Sequence, residues 1–255
     1  MEIQEIRDCY RMTCDLHTHT KYSHGFCYNH GKGSIEENAD AASKKEIDIL
    51  GISDHGPGHK FYGLDLKKLS EIREEIHAAE KKHPNLKIRL GVEANIINTA
   101  NGLDVGKERI PDFDYIIAGY HYGLPKGHMT ANYIYWHMGL PAGSTAQLRN
   151  QNTEMVLRAL YENNIRILTH PGDKGPFDMN ELCKACEKTD TLMEINTRHC
   201  HLTVPELRIA SDYDVRFIIS SDAHKPGDVG NFEKGINRAE EAGIDLGRIV
   251  NIEKR

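Results

Sequence analysis

Seven short apolar runs punctuate the chain, and each stops abruptly at polar or ionisable residues. The first enters through Arg11-Met12-Thr13-Cys14 and ends in Asp15-Leu16-His17-Thr18-His19. The run 47–53 ends in Asp54-His55-Gly56, the run 88–92 in Glu93-Ala94-Asn95, and the run 115–120 in His121. The run 165–169 ends in His170-Pro171-Gly172, 192–196 ends near Arg198, and 216–221 ends in Asp222-Ala223-His224. Apolar residues on both faces are what strands covered on both sides require. Helical periodicity fills most of the gaps: about 34–45, with Ser34 and Glu37 at capping-box spacing, then about 65–83, 145–163, 179–188 and 232–242. Strands alternating with helices predict a parallel sheet with crossover helices. An open doubly wound sheet needs ligand-bearing loops only near its switch point, whereas a closed barrel gathers every strand end at one mouth. Ionisable residues end nearly every run here. The expectation is an α/β fold, a barrel of seven βα units, in one domain spanning 1–255.

Composition adds mainly exclusions. A chain of 255 residues with 39% hydrophobic and 27% charged residues is an ordinary globular sequence. Its net charge of −6 offers no basic footprint for nucleic acid or an anionic membrane. No apolar stretch reaches the length of a membrane span. The N-terminus lacks the basic-then-apolar pattern of a secretion signal, so cytoplasm is the expected compartment. The six cysteines read as reduced thiols, and Cys183-Lys184-Ala185-Cys186 has no second pair to complete a four-thiolate site. Histidine is the unusual count, at 15.

Residues two apart on a strand share a face, so His17 and His19 present two imidazoles to one point. A lone His-x-His is usually a pair of surface histidines. This one is joined by His24, His55, Glu93, His121, His170, Asp222 and His224, all at or just after strand ends. So many imidazoles and carboxylates in one mouth need positive charge between them. The set lacks thiolate, which suits hydrolytic metals better than structural zinc. One catalytic ion takes about three ligands, so a cluster of two or three divalent ions is expected.

The elements Asp15-Leu16-His17-Thr18-His19-Thr20, Tyr22-Ser23, Ser53-Asp54-His55-Gly56, Gly91-Val92-Glu93-Ala94-Asn95, Ala118-Gly119-Tyr120-His121, Thr169-His170-Pro171-Gly172 and Ser221-Asp222-Ala223-His224 resemble, in order, the motifs of the PHP (polymerase and histidinol phosphatase) family. The likeness runs from about 13 to 245 and is greatest to stand-alone trinuclear-zinc phosphatases of YcdX type. It implies a distorted (β/α)7 barrel with the metal site at the C-terminal strand ends. It implies one metal position of His17, His19, Glu93 and Asp222, and a second of His121 and His170 bridged through Glu93, so that Glu93 and Asp222 anchor the catalytic centre. A third would use His24, His55 and His224. Many members continue Ser-Asp-Gly here, whereas this chain has Ser23-His24-Gly25 and then an insertion, Phe26 to His30. His24 is the expected ligand and His30 its rival. Asp15 and Asp54 precede ligands and serve either as acceptors fixing imidazole tautomers or as local turn acceptors.

The implied chemistry is phosphomonoester hydrolysis by a metal-bridging hydroxide, with zinc first and manganese or iron next as the ions. The alternatives are a phosphodiesterase or exonuclease of the polymerase-associated type and an amidohydrolase-like metal hydrolase. The sixth strand ends without a ligand, and Arg198 is placed there as a phosphate clamp, with His201 as its rival. A small phosphorylated substrate is expected, with neither nucleic acid nor membrane as partner. The long connection 122–144 reads as a lid or side wall of the site or as a contact in a homo-oligomer.

Overall fold

The computed structural model describes residues 1–25, 28–122, 124 and 126–255. Seven parallel strands, β1 (Cys14–Asp15), β2 (Ile49–Ile52), β3 (Lys87–Asn95), β4 (Tyr115–Gly119), β5 (Ile167–Leu168), β6 (Leu192–Asn196) and β7 (Phe217–Ser220), pair in chain order. The edges of the sheet then meet. At the C-terminal rim Thr18 bridges Ala223 in parallel, and the His19 N–H donates to the Ala223 carbonyl at 2.8 Å. Lower down, β1 and β7 are spanned by a side chain. The Asn251 amide donates to the carbonyls of Cys14 and Ile219, each at 2.7 Å, and its oxygen accepts from the Ile219 N–H at 3.1 Å. The result is the expected distorted (β/α)7 barrel.

Alternation along each strand sorts apolar side chains into two layers. Ile117, Ile167, Leu192 and Ile218 form a small cluster with Cys14, Leu16 and Tyr115. Their chain neighbours Ile116, Leu168, Met193 and Ile219 join the large cluster shared with the helices. The small cluster is therefore the floor of the barrel interior. Tyr115 fills it by donating to the Leu16 carbonyl at 2.8 Å, and a Cβ on Gly91 would collide with its ring.

The helices α2 (Ile35–Lys44), α3 (Leu69–Lys82), α5 (Ala142–Glu162), α6 (Met179–Thr189) and α8 (Glu233–Ala242) match the periodic segments within a few residues. Ser34 and Glu37 form the capping box that their spacing announced. Three helices were not anticipated: α1 (Ile3–Cys9), α4 (Met129–Met138) and α7 (Val204–Ser211). The first and last are too short to establish a 3.6-residue period. In α4 the single buried residue is Asn132, so no apolar stripe marks it. The segment read as the first strand divides in two. Tyr10–Met12 pairs antiparallel with Ile252–Lys254 outside the barrel, and only Cys14–Asp15 enters it. No helix among the described residues is long and apolar enough to cross a membrane.

Candidate metal centre

Above the apolar floor the strands deliver their last residues into one buried knot. His17 and His19 follow β1, His55 follows β2, Glu93 lies near the end of β3, His121 follows β4, His170 follows β5, and Asp222 and His224 follow β7. All eight are buried. Glu93 is the hub. Its Oε1 lies 3.3 Å from His17 Nε2, 3.3 Å from His121 Nε2 and 3.0 Å from His170 Nε2, and its Oε2 lies 2.9 Å from His55 Nδ1. Asp222 Oδ1 collects His19 Nε2 at 3.2 Å, His17 Nε2 at 3.6 Å and His224 Nδ1 at 3.3 Å. Gly119 makes room for this, because a Cβ there would press on Thr169, His170 and Glu93.

Two of these residues adopt backbone that L side chains seldom take: φ is 30° at His170 and 51° at Asp222. Strain of this kind persists only where the surroundings over-determine it. At His170 they do so through a carboxylate, Glu194, whose Oε2 accepts from the His170 N–H at 2.7 Å.

Electrostatics keeps the two acids ionised and holds three of the imidazoles, His19, His55 and His121, in the neutral form. Burial opposes the charged form of Glu93, but His121, His17 and His55 outweigh it and hold its pKa well below the carboxylate range. Asp222 is held low in the same way against its burial, by His17, His19 and His224. Burial drives His19 and His55 well below the usual histidine value, each helped by the other imidazoles, and His121 down to about 3. His17 goes up: burial resists, but Glu194, Glu93 and Asp222 prevail. His170 goes up as well, against its burial, through Glu93. Ionised carboxylates and neutral imidazoles are the forms that bind metals, so a cation entering here displaces the proton that His17 and His170 hold without it.

What these groups leave unbonded tests that fit. His17 Nε2, His19 Nε2, Asp222 Oδ1 and His224 Nε2 are buried without a hydrogen-bond partner among the described residues. Each such atom costs roughly 1–3 kcal/mol if left so. One ligand atom from each member lies within 4.8 Å of the others in three trios: His17, His19 and Asp222; His55, Glu93 and His121; and His19, His55 and His224. Cations among them satisfy the stranded lone pairs together. The donor set fits divalent metals.

The expected residues are brought together with one exception. His24 stands exposed at the start of a two-stranded hairpin, His24–Gly25 with Tyr28–Asn29, and joins none of these trios. The hairpin turns the chain back so that His30 reaches the knot, its ring 4.3 Å from that of His224 and 5.1 Å from that of His55. Phe26 and Cys27 of the insertion lie outside the described residues. Arg198 is exposed and lines a cleft of about 330 Å³ together with Thr197, Ser221 and Asp222. Asp54 accepts from Thr20 N–H, Thr20 Oγ1 and Ser23 Oγ at 2.6–2.7 Å, and Ser23 Oγ lies 3.4 Å from His19 Nδ1. Asp54 thus reaches an imidazole through a hydroxyl. Asp15 instead accepts the backbone N–H groups of Ser221 and Gly230, more than 200 residues on in the chain, and so fills neither expected role: it ties the end of β1 to the segment after β7. Cys183 and Cys186 are buried, and burial pushes the Cys183 thiol up to about 12, so this pair is inert core.

Two participants escaped the sequence. Glu194, fully buried on β6, accepts from His17 Nδ1 at 2.7 Å, from the His170 N–H and from Asn196 Nδ2 at 2.9 Å. The signal for it was present: one carboxylate inside the apolar run Leu192-Met193-Glu194-Ile195. His199 bridges Asp173 Oδ2 at 3.2 Å and Asp222 Oδ2 at 3.3 Å.

Fold and site together define a seven-stranded α/β barrel carrying at its mouth buried groups of His, Glu and Asp with the spacing of metal ligands. The chain belongs to the PHP domain family, whose model matches residues 15–202. It is 26% identical to a probable phosphatase of Thermoanaerobacter sp. (strain X514) over 94% of this chain and 91% of the relative. It is 24% identical to the probable phosphatase YcdX of Escherichia fergusonii, over 93% and 89%. Among solved structures it resembles histidinol phosphate phosphatase of Lactococcus lactis, solved with zinc, L-histidinol and phosphate. That match has a TM-score of 0.58 and 15% identity, over 92% of this chain and 95% of the other, and it speaks to the fold.

Proposed function

We propose that this chain, acting as one domain over 1–255, is a metal-dependent phosphatase that hydrolyses small phosphomonoesters. The observation that carries the reading is the buried knot centred on Glu93, with its stranded imidazole and carboxylate atoms. His17, His19, Glu93 and Asp222 would hold one divalent ion, Glu93, His121 and His170 a second, and His55 and His224 a third with His30 in place of His24. Zinc is the first choice, with manganese or iron compatible with the same donors. Bound divalent ions supply charge neutralisation for phosphoryl oxygens and lower the pKa of water. The chain's own part is to hold the donors rigid, keep the floor of the barrel dry, and orient the ester. Arg198, at the cleft beside Asp222, presents a planar, permanently charged fork suited to an outer phosphoryl oxygen. The names of the relatives point the same way.

Elemental analysis of protein from metal-replete growth should find two to three divalent ions per chain, as donor sets of about three each require. Turnover of p-nitrophenyl phosphate should exceed that of bis-p-nitrophenyl phosphate; the reverse order would assign a phosphodiesterase. Arg198→Ala should keep its metals and fold but lose about 3 kcal/mol, roughly 100-fold, in kcat/KM. An unchanged kcat/KM rules the clamp out.

A further inference from the structure

From residue 127 to 148 the chain contains no Asp, Glu, Lys or Arg, although charged residues make up 27% of the whole. This stretch is α4 and the start of α5, and its packing is inverted. The residue that α4 buries is polar: Asn132 pairs amide to amide with Asn152 of α5 at 3.0 and 2.7 Å and donates to Tyr120 Oη at 3.1 Å. Its large apolar side chains face outward instead, with Tyr133 54%, Trp136 46% and Met138 82% exposed. Helix α5 buries nothing before Leu148, so Ala142, Gly143, Ser144 and Ala146 stand out as a second, small-residue surface beside the aromatic one. Surface helices ordinarily show the opposite arrangement. Depletion of charge with enrichment in aromatic residues and Met marks the centre of a protein interface.

We propose that the α4–α5 hairpin is the surface through which two copies of this chain associate. A two-fold contact sets a patch against itself, so any charge near the axis meets its own kind. On a molecule of net charge −6, this hairpin is a face where that conflict does not arise. Large side chains on α4 and small ones on α5 also give each copy both the knobs and the spaces that the other needs. A membrane surface is a poorer occupant, because interfacial helices carry Lys or Arg on their polar face. Closure over the chain's own mouth is opposed by the Asn132–Asn152 pair, which pins α4 in place.

Trp136 is the one tryptophan of the chain, so its fluorescence reports on this face without any substitution. On raising the full-length, metal-loaded protein to about 100 µM, well above a Kd of ~1 µM, Trp136 emission should move to shorter wavelength. Sedimentation velocity should then give twice the chain mass of 28.9 kDa. The double variant Trp136→Glu, Met138→Glu should sediment at the single-chain mass with unchanged circular dichroism and metal content. A wild type at single-chain mass throughout, or a double variant that still pairs, overturns the proposal. So does a monomer that co-floats with anionic vesicles, or one in which the double substitution lowers kcat/KM; these outcomes assign the face to a membrane or to a lid.

Discussion

Glu194 shows how one side chain can organise a site that it does not line. Its two oxygens hold His17 Nδ1 and the His170 backbone N–H, which fixes the His17 proton on Nδ1 and turns the Nε2 lone pair toward Glu93 and Asp222. A glutamine cannot do both. If its oxygen keeps the His170 N–H, its NH2 group must donate to His17 Nδ1, which moves the imidazole proton to Nε2 and blocks the atom facing the carboxylates. Glu194→Gln should therefore fold normally yet bind its metals roughly 10–100-fold more weakly, the usual effect of losing a carboxylate behind a ligating histidine. Chelator-competition titration reads this directly, and wild-type affinity in the variant would show that His17 needs no such partner.

At the scale of elements, the weakest join in the barrel is between its first and last strands. β1 has two residues and β7 four, and no ladder links them. The Thr18–Ala223 bridge secures the rim and Asn251 secures the wall beneath it. Asn251→Ala leaves one buried and one partly buried carbonyl and one buried N–H without their side-chain partner. At roughly 1–3 kcal/mol for each unsatisfied group, a loss of about 3 kcal/mol in urea-unfolding free energy is expected. A loss below about 1 kcal/mol would mean that the seam is closed by the rim bridge alone. Because His17, His19 and Asp222 all follow these two strands, the same variant should also loosen the metal site.

For the molecule as a whole, folding draws eight ligand-type side chains from six strand ends into one dry volume and leaves several of their polar atoms unbonded. Cations bound there stabilise the folded chain over the unfolded one by mass action, about 2.7 kcal/mol at a hundredfold excess over Kd. Dialysis against a chelator should lower Tm by roughly 5–10 °C for a chain of this size, and zinc or manganese should restore it. A chelated protein that melts at the metal-loaded temperature would show that the knot is self-sufficient.

The order of strands, their closure into a barrel and most of the mouth were legible in the chain because both signals are local. A buried parallel strand must be apolar on both faces, and its last residue must point into the mouth, so His17, His55, Glu93, His121, His170 and Asp222 announced themselves by position. Other features depended on how distant segments meet. The turn-back of the hairpin brings His30, and not His24, up to the knot, since a sequence shows how many residues are inserted but not which way they face. Glu194 interrupts an apolar run, yet only the curl of the sheet places it behind His17, 177 residues away in the chain. Asn251 lies near the C-terminus, and its role exists only where β1 meets β7. Helix α4 left no periodic trace because the one residue it buries, Asn132, is held by hydrogen bonds to Asn152 of α5 and to Tyr120 rather than by an apolar stripe, and tertiary structure alone shows which of its faces is left open.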